Sequence, residues 1–210
     1  MPAFQELITS EEGLRELVPP PPATRLSRSK ELRELDEHAR AWIAASPLVL
    51  VASADADGRC DVSPRGGPAG WARVLDDHRI ALPDAPGNGR IDTLRNVVQT
   101  GRAGLLFVVP GRRDVLRVNG SACVTRDPEA LEGIPGSPRL ALGVVAEEVF
   151  FHCAKALLRS GVWDPDGWPA PDALAPFSVV LRDHAARNGN DVDLDDAEAQ
   201  IVESLATRMW

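Results

Sequence analysis

The chain has 210 residues, 44% hydrophobic and 26% charged, with a formal net charge of −8. That suits one domain with an arm and excludes collagen, wholesale disorder and a disulfide scaffold. No apolar run approaches the roughly 18 residues of a membrane helix, and an acidic chain argues against general nucleic-acid binding.

The first 28 residues read as an arm: a short helical stretch to Val18, then the Pro19–Pro22 spacer, in which each proline fixes φ and removes a donor. From Ser29 the apolar positions Leu32, Leu35, Ala39, Trp42 and Ile43 follow helical spacing, and Ser46-Pro47 ends that helix. Residues 47–54 and 59–65 read as strands joined by an Asp57-Gly58 hairpin. WARVL (71–75) and HRIALP (78–83) flank a second hairpin. A glycine loop (84–90) precedes a short helix over 91–99. Strands over 103–109, 115–125 and 140–151 follow, and the last runs into a helix over 152–160. Residues 163–176 read as loop, and a final helix starts near Leu194 with Asp195 and Glu198 spaced as a capping box. Strands joined mostly by hairpins, with few helices, predict a mainly β fold: a small antiparallel barrel with flanking helices. The expected organisation is an arm (1–28), a barrel domain (29–169) and a C-terminal extension (170–210).

Charge is unevenly placed. Residues 59–126 balance to +5 and residues 164–210 to −7. An arginine-rich centre in an acidic chain fits a confined anion site, and scattered solubilising arginines are the alternative. Three cysteines (Cys60, Cys123, Cys153), far apart, form neither a disulfide framework nor a zinc pattern. With an acidic N-terminus lacking a signal architecture, they lead us to expect a cytoplasmic protein.

The common catalytic templates are absent: no G-x-S-x-G, P-loop, H-E-x-x-H or Rossmann fingerprint. With four dispersed histidines no metal site is expected, and any chemistry would come from a bound organic cofactor. In SPRGG (63–67), Arg65 ends a strand, and a guanidinium there forks two phosphate oxygens, with Gly66-Gly67 allowing close approach. An ordinary turn with a solvated arginine reads equally simply. In GNGR (87–90), Asn88, Arg90 and Thr93 cluster at a helix N-terminus suited to phosphate. The alternative is a glycine loop capped by Asp92. His152, Lys155 and Arg159 fall on one face if the 152–160 helix forms, and Glu148 is a candidate counter-charge. Arg117 and Asn119 share one strand face, where they meet a heterocycle edge or water. Trp163 is the tryptophan placed to stack on a planar ring.

The run DVSPRG–hairpin–LPD–x–PGN–x–R–helix–LLF–turn–LRVNG, followed by FFHCAKALLRS–x–x–W, resembles the pyridoxamine 5′-phosphate oxidase-related FMN-binding proteins. The resemblance covers about residues 30–169 and is specific over Asp61–Arg95 and Phe150–Trp163. It implies an FMN-binding split β-barrel homodimer with the cofactor between subunits, its phosphate held by basic side chains. It implies Arg65 and Arg90 at the phosphate, assisted by Asn88 and Thr93, with Leu82 and Pro83 against the flavin ring. The His152, Lys155 and Arg159 face would reach the cofactor or its opening, from the second subunit, with His152 the one candidate proton donor.

Two departures stand out. The strand HRIALP has no lysine, where the oxidase proper carries an arginine and a lysine. The C-terminal W-x(n)-R-L-x-P substrate motif is also missing, so pyridoxamine phosphate is not the expected substrate. The resemblance therefore implies an FMN-dependent oxidoreductase acting on another small organic molecule, without nucleic-acid or membrane partners. The rivals are a non-catalytic flavin carrier or sensor and, with His152 as axial ligand, a haem protein.

Overall fold

The computed structural model describes residues 4–21, 30–85, 89–132 and 137–208. The chain divides into two compact units, Met1–Glu31 and Leu32–Trp210. In the first, α1 (Glu11–Leu17) is capped by Ser10, whose hydroxyl accepts the Gly13 N–H at 3.1 Å, and it buries no residue.

The second unit is built on seven antiparallel strands: β1 (Leu48–Ala54), β2 (Cys60–Gly66), β3 (Arg73–Val74), β4 (Arg79–Pro83), β5 (Arg102–Val108), β6 (Val115–Thr125) and β7 (Ala141–His152). Their order is β2-β1-β5-β6-β7-β4-β3. Each falls on a stretch read as a strand from the sequence, with WARVL reduced to Arg73–Val74 as a short edge. The sheet is split-barrel-like and does not close, since β2 and β3 each pair on one side only. The β1–β2 turn is fixed by Asp55, whose carboxylate accepts the N–H of Asp57 (2.9 Å) and of Arg59 (2.8 Å). Gly58 takes φ of 82°, a conformation that favours glycine.

Alternation along each strand sends one face inward. Val49 and Val51 of β1, Leu105 and Phe107 of β5, and Leu116 and Val118 of β6 are buried together. Each such side chain contributes roughly 1.5–3 kcal/mol relative to exposure. Helix α2 (Glu37–Ala45) adds Ala39 and Ile43 to this core, and α3 (Asp92–Thr100) adds Leu94 and Val97. The predicted start of α2 needs correction. Asp36 caps the helix by accepting the Ala39 N–H at 2.8 Å, while Leu32 lies upstream in an antiparallel bridge to Val149. Leu35 is still buried, but from the segment ahead of the helix.

A second correction concerns residues 152–160. The ladder with β6 carries β7 through Phe150, Phe151 and His152, paired with Arg117, Leu116 and Val115. Helix α5 covers only Lys155–Ser160. His152 therefore ends a strand and shares no helical face with Lys155 and Arg159.

A short α4 (Pro128–Leu131) packs near β4 and β7. In the C-terminal part, α6 (Phe177–Arg187) forms in a stretch not expected to be helical, and it packs on α7 (Leu194–Thr207). The cap of α7 is Asp193, accepting the Asp195 N–H at 2.8 Å. Glu198 does not complete a capping box and instead accepts from the Ser178 hydroxyl at 3.3 Å. Among the described residues no helix is long and apolar enough to cross a membrane.

Candidate functional site

The open seam of the sheet holds a cleft of about 760 Å³ between β2, the end of β4 and the start of α3. Three elements supply its polar groups. Strand β2 turns Asp61, Ser63 and Arg65 to one side, half-buried, and Val62, Pro64 and Gly66 to the other, exposed. Asp84 follows β4, and Arg90, Asp92 and Thr93 come from the start of α3.

Arg65 bridges the seam. Its Nη1 donates to Asp84 Oδ1 at 2.7 Å, with the two side chains 24% and 30% exposed. The strands they extend from, β2 and β4, share no ladder. Arg90 donates through Nε to Asp92 at 2.7 Å, and Asp92 also pairs with Arg95. These contacts raise the Arg90 guanidinium pKa, chiefly through its hydrogen bond to Asp92. The same bond holds the Asp92 carboxyl below its ordinary range.

Helix α3 has Ile91 at its N-cap and no side-chain cap, so its first N–H groups and the positive end of its dipole are open to an anion. Gly89 just before it has φ of 75°. Arg65 and Arg90 thus line one cleft with an uncapped helix start. That donor set fits a phosphate group, although three carboxylates line the same cleft.

Other expected residues are placed differently. Thr93 lines the cleft but is buried, and its hydroxyl donates to Asp61 at 2.6 Å. That leaves Ser63 as the donor in the 2.7 Å Ser63–Thr93 contact. Thr93 joins α3 to β2 and has no hydroxyl proton left for a phosphate. Leu82 and Pro83 are buried in the sheet and offer a ring no free surface within the chain. Asn88 lies outside the described residues. Lys155 and Arg159 are exposed on α5 and absent from the cleft lining. His152 stands against Phe150, with ring centroids 4.7 Å apart. Gly66 and Gly67 answer to packing rather than ligand approach. A Cβ at Gly67 would come within 2.6 Å of Trp71, and one at Gly66 within 3.2 Å of the Pro47 carbonyl oxygen.

Asp84 was missed as a site residue. Its one sequence signal is a carboxylate directly after an apolar strand. A second polar cluster lies on the other face of the sheet. Arg117 pairs with Glu148, and Asn119 donates to Glu148 at 3.0 Å. The Arg117 guanidinium lies 3.9 Å over the Phe150 ring. Glu148 is therefore the partner of Arg117 and Asn119, not a counter-charge of α5. Trp163 donates from its indole to the Arg112 carbonyl at 2.8 Å. Among the described residues no group of three or more His, Cys, Asp or Glu could hold a metal ion.

An open antiparallel split-barrel sheet with an arginine-lined cleft at its seam defines a class, and sequence comparison supplies the family. The profile of the pyridoxamine 5′-phosphate oxidase family matches residues 35–153, more than half of the chain, and the chain belongs to that family. No curated protein matches it. Similar solved structures include HupZ of Group A Streptococcus, at 22% identity over 55% of this chain and 92% of that one (TM-score 0.46). A putative pyridoxamine 5′-phosphate oxidase of Lactobacillus delbrueckii is 25% identical over 58% and 98% (TM-score 0.45). An FMN-binding protein of Syntrophomonas wolfei is 15% identical over 56% and 85% (TM-score 0.43).

Proposed function

We propose that the protein is a homodimeric FMN-dependent oxidoreductase acting on a small organic molecule other than pyridoxamine phosphate. The observation that carries this reading is the convergence of Arg65, Arg90 and the uncapped start of α3 on one cleft. Arg65 presents a planar fork suited to two phosphate oxygens, and Arg90 adds a second cation at the helix start. The N–H groups of α3 complete the cradle. FMN supplies hydride chemistry when bound, so the chain needs to bind and orient it rather than furnish an acid–base pair.

Two features support the departure from pyridoxamine phosphate. The strand before the glycine loop lacks the lysine of the oxidase proper. Its one arginine, Arg79, is engaged at the sheet edge by Asp76 and Glu129. The exposed cations Lys155 and Arg159 serve the second subunit's cofactor in this reading.

Titration with FMN tests the assignment. Arg65→Ala or Arg90→Ala should each weaken binding by roughly 2 kcal/mol, about 30-fold. Wild-type affinity in both variants would remove the cleft as the phosphate site. Reduction of the bound flavin by NADH or NADPH, followed by turnover with an added acceptor, separates the enzyme from a carrier.

A further inference from the structure

The cleft carries an anion of its own. Among its lining side chains, Asp61, Asp84 and Asp92 outnumber Arg65 and Arg90. Asp61 accepts from Thr93, and Asp92 is divided between Arg90 and Arg95 at the helix start. Asp84 differs, because its side chain pairs with Arg65, the residue best placed to fork a phosphate.

We propose that Asp84 is an internal competitor for the anion site, holding the Arg65 guanidinium until a phosphate displaces it, and so sets the cleft's affinity for phosphorylated ligands. This rests on the flavin-phosphate reading above. Three observations carry it. The Arg65–Asp84 pair is half-buried, so it is less screened than a surface pair. Both residues line the cleft, so carboxylate and phosphate meet the same cation in the same space. The pair also spans two strands without a common ladder, which gives it a task in the ligand-free chain: it ties the seam. A phosphate engaging Arg65 must displace the carboxylate or sit beside it, anion against anion. Either event is opposed by the negative charge of Asp84, and neither opposition survives its neutralisation.

The test compares FMN with riboflavin, which lacks the phosphate, in the wild type and in Asp84→Asn. Asp84→Asn should bind FMN about tenfold more tightly and riboflavin unchanged, while the ligand-free protein melts at a lower temperature. Asp84→Ser serves as the second variant should the asparagine fail to fold. Adding Arg65→Ala to Asp84→Asn should abolish the gain. Suppose instead that the wild type prefers FMN to riboflavin and Asp84→Asn binds FMN equally or less tightly. Asp84 then positions Arg65 and the competitor idea falls, with the phosphate reading intact. A wild type that binds both flavins alike, or neither, overturns the two together.

Discussion

Asp76 shows how far a single surface pair can be read. Its carboxyl is held at about 2, against an ordinary 3.8, first by the hydrogen bond from Arg79 and then by the backbone N–H of His78. A carboxyl depressed in the folded state contributes stability above its unfolded value, and that contribution is lost as pH falls from about 3.8 through about 2. Because both side chains are nearly half exposed, the effect should stay below about 1 kcal/mol. Urea unfolding at stepped pH should show Asp76→Asn less stable than wild type at pH 5, with the gap closing by pH 2. A gap unchanged down to pH 2 would contradict the pairing. At this scale the sequence was informative where chemistry is local. Arg65 and Arg90 stood out because each adjoins glycine at an element end. The contacts of Thr93 and Asp84 were not legible. Their partners, Asp61 and Arg65, lie 32 and 19 positions away, and only strand register brings them together.

Strands β6 and β7 contain the sheet's irregularity, a bulge at Asn119/Gly120 that leaves Glu147 without a ladder partner. Glu147 compensates by accepting the Ser121 N–H at 3.1 Å and pairing with Arg102. A Cβ at Gly120 would collide with the Val145 carbonyl oxygen and come within 2.9 Å of its carbon. Backbone cannot rotate away as a side chain can, so Gly120→Ala should cost about 3 kcal/mol, read as a lowered denaturant midpoint with an unchanged slope. A variant as stable as wild type would mean that the bulge is not held as described. Strands were legible because alternation and hairpin residues agree, as in β6, whose bounds match the expectation. Helix ends were not. A period of 3.6 continues through Leu32 and Leu35 although Asp36 sets the start of α2, and through His152 although the ladder keeps it in β7. Helix α6 is not legible in the sequence because Pro176 and the loop composition before it obscure the run from Phe177.

The outward face of the sheet suits contact with a second copy of the chain. Leu50 of β1 stands opposite Leu106 of β5, which stands opposite Arg117 of β6, which stands opposite Phe150 of β7. Leu50, Leu106, Arg117 and Phe150 are half-buried, and Val62 on β2 is 64% exposed. Apolar groups spread over four strands, around an ion pair already matched within the chain, suit a self-complementary two-fold contact: burial drives it and the charge costs little. Sedimentation should therefore show the wild type at twice the chain mass. Leu106→Glu puts a carboxylate at the centre of this face without entering the core, since its neighbours Leu105 and Phe107 are the residues that point inward. It should fold and sediment as a monomer. A folded Leu106→Glu variant that remains dimeric would place the contact on another surface. One that becomes monomeric with full flavin affinity would confine the site to a single chain.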